Sequence, residues 1–329
     1  MKKNLGLIVG ILILLASCGN KYKKIEGFTQ GTTYHITYNS SKDYSKEIDS
    51  LLFHFDSSLS TYKENSIISR VNKNDSTVVI DDLFEKFFTT SYEIYLQTYG
   101  YFDVTVGPLV NAWGFGFTEK ADVDKKLIDS LLQYVGMEKI YISGQTVVKG
   151  NENIILDGNA IAQGQSVDYV SDFFDEKEID NYLVEIGGEL KAKGLNPDKE
   201  LWKVGIDKPI ENSDETNREL QIVLKLDNKS LATSGNYRKF YEKEGMKYSH
   251  TINPKTGFPV QHHLLSATIV ADDCIKADAY ATSCMVMGYV KAKNLIENLN
   301  EIEGYLIYTD EKGEYKVFAS EGLKKMIVE

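Results

Sequence analysis

Cysteine is nearly absent: the 329 residues hold three, Cys18, Cys274 and Cys284. No Cys/His spacing among them suits a zinc site. One disulfide between Cys274 and Cys284 is conceivable in an oxidising compartment, but both lie around a single helix and read better as buried free thiols. Positive charge is in deficit, with 37 Lys and Arg against 48 Asp and Glu and a formal net charge of −11. Nothing forms a basic stripe, which excludes nucleic acid as the partner; the acidity otherwise serves solubility. The five histidines are scattered except for His262-His263, which reads as a polar loop. Proline is scarce and tyrosine abundant, a composition of ordinary globular proteins. There is no short-period repeat and no low-complexity segment. After the first residues no apolar run is long enough to cross a membrane.

What is present begins with an address. Lys2 and Lys3 precede the apolar run Leu5–Leu15, too short for a comfortable span, and Leu15-Ala16-Ser17-Cys18 follows it. Small residues before a cysteine are similar to a bacterial lipobox, in which Cys18 is lipidated and becomes the mature N-terminus. An ordinary signal peptide or a single anchor helix is the alternative. Residues 1–18 are thus read as a lipoprotein signal peptide and 19–24 as a tether. Residues 25–329 are read as one large domain or two intimately packed lobes. The expected location is outside the cytoplasm, membrane-anchored and periplasm-facing. Gly19, where an aspartate would announce inner-membrane retention, leaves the choice of membrane open.

The rest of the chain is organised around Ser266–Gly288. Ala267, Ile269 and Ala271 alternate with Thr268 and Val270 as a strand. Asp272 and Asp273 offer helix N-cap oxygens, and no proline or glycine follows until Gly288. Asp278 and Thr282 fall one helical turn apart on one face. One anionic and one hydroxyl oxygen on a stiff element suit a hard cation such as Mg²⁺, which keeps open positions for phosphate. An Asp inside a helix with Thr282 bonding back to the backbone accounts for the same spacing.

The other segments supply a frame. Gly27–Tyr38 reads as strand–turn–strand with Tyr34, Ile36 and Tyr38 on one face. Lys46–Phe55 is an amphipathic helix whose pattern Ser57, Ser58 and Ser60 break; over 56–72 the chain reads as an irregular polar loop in which Tyr62 is either a stacking platform for a flat ring or a surface-packed tyrosine. Asp82–Tyr99 is a helix closed by Gly100. In Tyr101–Gly116, Gly107-Pro108 reads as a turn and Trp113 as either a ligand neighbour or a buried ring. Val123–Val135 reads as a helix, and 140–142 with 146–148 as strands. Strand 154–156 is expected to run through Asp157 and a turn into a helix reaching Phe174. Such a join presents backbone groups to phosphate or metal, though it lacks a G-x-G-x-x-G or P-loop pattern. Strands are expected at 183–186, 202–206 and 222–226, a helix at Val290–Leu299 and a hairpin over 302–309 and 315–319. Elements come in runs rather than strict alternation, which predicts an α+β fold with largely antiparallel sheets flanked by helices.

Several blocks, in order, carry a resemblance: GTTY (31–34), LSTY (59–62), FDVTVGPLVNAWGFG (102–116), LDGNAIAQGQSVD (156–168), IGGELKAKG (186–194), WKVGI (202–206), ATSGNYR (232–238), SHTINPKTGFPV (249–260) and ADAYAT (277–282). Together they resemble the ApbE family of FAD:protein FMN transferases over nearly the whole chain after residue 24. The resemblance implies an ApbE-like, T-fold-like architecture and a protein that binds FAD and Mg²⁺. It implies transfer of the FMN half of FAD, through a phosphoester bond, to a threonine of a partner flavoprotein, with release of AMP. The acceptors it implies are subunits of membrane redox complexes and related flavin-carrying domains. On its terms Asp278, Thr282 and the Ala160 carbonyl hold Mg²⁺. Tyr62, Tyr101, Phe102, Asp103, Asp157, Gln163 and the Thr251–Ile252 backbone contact FAD, and His250 activates or orients the attacking hydroxyl. The chain departs from the family at Gln30, where many relatives carry Met, and at Gln163, where many carry Lys or Glu. An FAD pyrophosphatase giving FMN and AMP, or a non-catalytic, lipid-anchored FAD-binding protein, are the competing readings; the sequence shows no acceptor threonine of its own.

Overall fold

Alternation of Tyr34, Ile36 and Tyr38 builds the first half of the molecule: these side chains are buried while their neighbours face outward, the two-residue period of a half-covered strand. The computed structural model describes residues 22–116, 121–209, 219–235, 240–243, 246–249 and 251–328, with 240–243 and 246–249 as backbone. Cys18 and His250 lie outside the described residues. Strands β1 (Tyr22–Thr29) and β2 (Thr32–Asn39) form a hairpin. Helices α1 (Ser45–Leu59), α2 (Ile67–Asn72), α3 (Asp82–Gln97), α4 (Gly107–Ala112) and α5 (Lys125–Leu131) follow. Then come β3 (Ile140–Ser143), β4 (Thr146–Lys149), α6 (Ala162–Glu176), β5 (Tyr182–Ile186), β6 (Glu189–Lys193), β7 (Trp202–Asp207), β8 (Leu220–Leu226) and β9 (Lys229–Gly235). The chain closes with β10 (Phe240–Lys243), β11 (Met246–Ser249), β12 (Leu264–Ala271), α7 (Cys274–Met287), α8 (Tyr289–Asn298), β13 (Ile302–Thr309), β14 (Tyr315–Ala319) and α9 (Glu321–Lys324).

Eight strands make one sheet in the order β1-β2-β5-β6-β9-β12-β13-β14, each neighbour pair antiparallel. The expected α+β fold with antiparallel sheets is what the chain adopts. Helices α6 and α7 lie against one face. Tyr38 stacks on Phe174 of α6 with centroids 4.9 Å apart, and Ala267, Ile269 and Ala271 of β12 join the core under α7. On the opposite face Val270 and Leu231 pack with Trp202, Leu224 and Leu226 of the β7–β8 hairpin. Strand β12 is therefore buried on both sides, its Ser266 and Thr268 included.

Five expectations change. Residues 22–24, expected in a tether, are strand: Tyr22 pairs with Asn39 and its ring meets Trp202 edge-on at 6.3 Å. Helix α1 continues through Leu59: the Ser57 hydroxyl donates back to the Phe53 carbonyl at 2.8 Å and that of Ser58 to Asp81 at 2.7 Å, so neither serine breaks it. Part of the expected loop is α2, capped by Ser66, whose side chain accepts the Ser69 N–H. Gly107-Pro108 starts α4 rather than a turn, with proline in the first turn where a missing N–H is harmless. Residues 154–156 form no strand. Val106 and Ile155 make one isolated parallel bridge, and the Asn72 amide bonds both backbone groups of Leu156, at 2.8 and 2.9 Å.

Candidate active site

Helix α7 is buried almost all round, including Asp278 and Ser283. A helix so placed needs its polar groups satisfied by protein. Asp273 occupies the N-cap position but makes no side-chain cap, and Asp272 pairs with Lys229. The cap comes instead from α6. Asp168 accepts the Cys274 N–H through Oδ1 and the Ile275 N–H through Oδ2, both at 2.9 Å.

Asp278 is 6% exposed. Its Oδ2 accepts the Gly164 N–H at 3.0 Å, and burial pushes its pKa up to about 7 against the lowering effect of that bond. No cationic side chain pairs with it among the described residues. Gly164 is in the first turn of α6, where N–H groups lack intrahelical partners; the helix starts at Ala162 with its first bond from Gln165 to Ile161, so the Ala160 carbonyl, before the N-cap, lies outside the ladder. Glycine is required at 164, because a Cβ there would stand 2.3 Å from the Cys274 carbonyl oxygen and 2.7 Å from Asp278 Cβ.

Thr282, a turn after Asp278, does not bond back along its helix. Its hydroxyl lies 3.2 Å from that of Ser234 on β9; the neighbouring Ser283 is the one that bonds back, to the Ala279 carbonyl at 2.6 Å. Asp278, Thr282 and Ala160 all face one cleft of about 1790 Å³.

The same cleft takes in Tyr62, Tyr101, Phe102, Asp103, Asp157, Gln163, Thr251 and Ile252. The structure thus gathers every expected site residue that it describes. Tyr62 is 75% exposed at the rim. The Tyr101 ring has the ammonium groups of Lys255 and Lys291 at 4.9 and 4.5 Å from its centroid. Phe102 is buried, and the Asp103 carboxylate beside it accepts the Thr105 N–H at 2.8 Å and hydroxyl at 2.5 Å; burial still pushes its pKa up to about 6. Asp157 accepts the Asn159 N–H at 2.9 Å, and burial raises its pKa as well. Gln163 lies against Gly187, and Gln30, on the β1–β2 turn, accepts the Ser166 hydroxyl at 3.4 Å. The 251–260 loop is tied by Val260 N–H to the Thr251 carbonyl at 3.0 Å. It is tied again by the Trp113 indole N–H to the carbonyl of Gly257, whose φ is +75°. Trp113 is thus the buried ring of the two readings, shaping the loop rather than facing a ligand. Cys274 and Cys284 are buried free thiols.

Sequence reasoning missed Asp168, Gly164 and Ser234 as contributors. Their partners are distant in sequence, and no local pattern marks them. Among the described residues no three His, Cys, Asp or Glu side chains cluster as a metal cage, so a cation here would rest on one carboxylate and neutral oxygens.

Comparison with known proteins supplies the context. Residues 30–306 match the ApbE family. The chain is 36% identical to the FAD:protein FMN transferase of Vibrio cholerae serotype O1, over 96% of each chain, and 35% identical to that of Haemophilus influenzae, over 99% of each. The solved structure of flavin transferase ApbE from Vibrio cholerae superposes with a TM-score of 0.82 at 34% identity, over 93% of this chain and 99% of that one.

Proposed function

The chain belongs to the ApbE family and is an FAD:protein FMN transferase, and we propose that it transfers FMN from FAD to a threonine hydroxyl of a partner flavoprotein, releasing AMP, with Mg²⁺ as its resident ion. The observation that carries this reading is the meeting, in one cleft, of a buried carboxylate with no cationic partner among the described residues, a helix hydroxyl turned away from its own helix, and a carbonyl outside the helical ladder. These donors are all oxygen and bring one negative charge, which fits a hard cation that must stay net positive to hold phosphate. Asp278, Thr282 and Ala160 would hold Mg²⁺, which when bound neutralises diphosphate charge and acts as a template for displacement.

The chain's own groups do the rest. Tyr62 and Tyr101 offer faces to the flat rings of FAD, while Phe102, packed in the core, backs the cleft beside them. Asp103, Asp157, Gln163 and the Thr251–Ile252 backbone offer polar contacts that fix its orientation. In sequence His250 directly precedes Thr251, which lines the cleft. Its imidazole takes the proton from the acceptor threonine. The threonine oxygen bonds to the FMN phosphorus, the bond from that phosphorus to the bridging oxygen breaks, and AMP leaves. Extracytoplasmic, periplasm-facing attachment through lipid on Cys18 is proposed with it, supported by Lys2, Lys3 and the LASC run. The acceptor is a threonine-bearing subunit of a membrane redox complex or a related flavin-carrying domain.

The test is to incubate the protein with FAD, Mg²⁺ and a threonine-bearing acceptor domain and weigh the acceptor by mass spectrometry. A gain of one FMN on that threonine is expected. Free FMN with unlabelled acceptor identifies a pyrophosphatase instead, and unchanged FAD a binding protein.

A further inference from the structure

We propose that Asp168 is a positioning residue for the metal-binding oxygens: it sets the register of α7 against α6 and so the spacing of Asp278 and Thr282 from Ala160. The proposal rests on the reading of those three residues as Mg²⁺ ligands.

A helix N-terminus leaves its first N–H groups without partners, and a residue just before the helix ordinarily takes them. Two aspartates stand there, yet neither caps α7. A local cap would fix only the first turn's conformation. A cap from another helix fixes where α7 begins relative to that helix. Asp168 is 1% exposed and spends one oxygen on each of two successive N–H groups. The Lys191 ammonium, 3.4 Å from Oδ1, balances its charge.

The contact is one half of a reciprocal pair. On α6, Gly164 and Asp168 are a turn apart; on α7, so are Cys274 and Asp278. The α6 carboxylate accepts from the α7 backbone at Cys274, and the α7 carboxylate accepts from the α6 backbone at Gly164. Two such ties in opposite senses resist both sliding and rotation of one helix on the other. Ala160 lies one turn before Gly164 and Thr282 one turn after Asp278, so all three proposed ligands are placed by this clamp. Losing Asp168 releases the N-terminal tie and leaves the Gly164–Asp278 bond as the remaining half of the reciprocal pair.

The experiment uses the intact protein and two readouts that do not depend on turnover. One is the Mg²⁺ concentration giving half of the thermal-shift response in the presence of FAD without acceptor. The other is FAD binding by flavin fluorescence in EDTA. Asp168→Asn should raise the half-saturating Mg²⁺ about 10-fold or more, the usual effect of losing a group that orients a ligand. Its FAD dissociation constant in EDTA should stay within about two-fold of wild type, since separate contacts are near-additive. Lys191→Met keeps both N–H bonds, so it should lower the melting temperature and leave the Mg²⁺ response in place. If the asparagine variant does not melt cooperatively, Asp168→Glu, which keeps the anion at a longer reach, should show the same selective loss of Mg²⁺. An unchanged Mg²⁺ response in the Asp168 variant that folds overturns the proposal. Equal weakening of FAD and Mg²⁺, or a Lys191→Met variant that loses Mg²⁺ as severely, shows general loosening and also overturns it. A wild-type protein indifferent to Mg²⁺ is a separate result: it removes the metal reading, and this proposal with it.

Discussion

Replacing Asp278 by asparagine should make the metal-free protein more stable, not less. The carboxylate is 6% exposed and accepts one backbone N–H, that of Gly164, and burial moves its pKa from 3.8 to about 7. A carboxyl whose folded pKa lies above its unfolded value keeps its proton better when folded. Stability therefore falls as pH rises from about 4 to about 7 and then levels off. From 3.8 to about 7, at about 1.36 kcal/mol per pH unit, the full loss is about 4 kcal/mol. Asparagine is nearly isosteric, can still accept the Gly164 N–H, and does not titrate. In EDTA the two melting curves should nearly coincide at about pH 4 and diverge as pH rises. By about pH 8 the variant should melt roughly 8 °C or more above wild type, at about 2–4 °C per kcal/mol. Taking the difference between the two proteins cancels the other buried carboxylates to first order. Mg²⁺ should close most of that gap: at about 100 times its dissociation constant it adds about 2.7 kcal/mol to a protein that binds it, and the variant should gain little. Parallel pH curves, or an equal Mg²⁺ gain in both proteins, would refute the argument that Asp278 is a buried charge waiting for a cation.

Other outcomes follow from neighbouring contacts. His250→Ala should slow transfer about 10²–10⁴-fold at saturating FAD while changing FAD affinity much less; a pure loss of affinity with normal turnover would count against a base. Gly164→Ala should lower stability by about 1–3 kcal/mol in chemical denaturation, because the new Cβ stands 2.3 Å from a backbone oxygen that cannot swing away. Trp113→Phe, which removes the bond to the Gly257 carbonyl, should weaken FAD binding by about 1 kcal/mol, roughly five-fold; unchanged titration of FAD fluorescence would show that the 251–260 loop holds its shape without it. Cys274 and Cys284, both fully buried with thiol pKa values raised by burial, should react with a thiol reagent only at the rate of unfolding.

Strand β12, helix α3 and the β13–β14 hairpin were legible because each carries its own period and ends at its own punctuation. Asp278 and Thr282 were legible as neighbours because helical spacing alone puts them together. Their relation to Ala160 was not: spacing within one segment says nothing about which carbonyl of another lies opposite, and only the block resemblance joined them. The local errors share a physical cause. Ser57 and Ser58 look like helix breakers until Phe53 and Asp81 accept their hydroxyls, and Asp272 and Asp273 look like caps until Lys229 and Asp168 take over the ionic and capping roles. In each case a short polar side chain found its partner by geometry that the sequence does not display.

The same logic explains why the chain tolerates a charge in its interior. A helix covered on nearly every side gains by having every polar group matched, and α7 comes close. Asp168 holds its first N–H groups, Glu301 accepts the Tyr280 hydroxyl at 2.8 Å, the Ser283 hydroxyl returns to its own backbone, and Lys276 reaches Glu301 at 2.8 Å and Glu93 at 3.2 Å. Asp278 stands apart, an anion given one N–H and no counter-charge among the described residues. A uniformly apolar helix would be more stable without it. Local rules broken against a background of satisfied ones are the mark of a site held for chemistry. The deficit also has a sign and a place, one negative charge at the floor of the cleft, and a hard cation bound there would make it good.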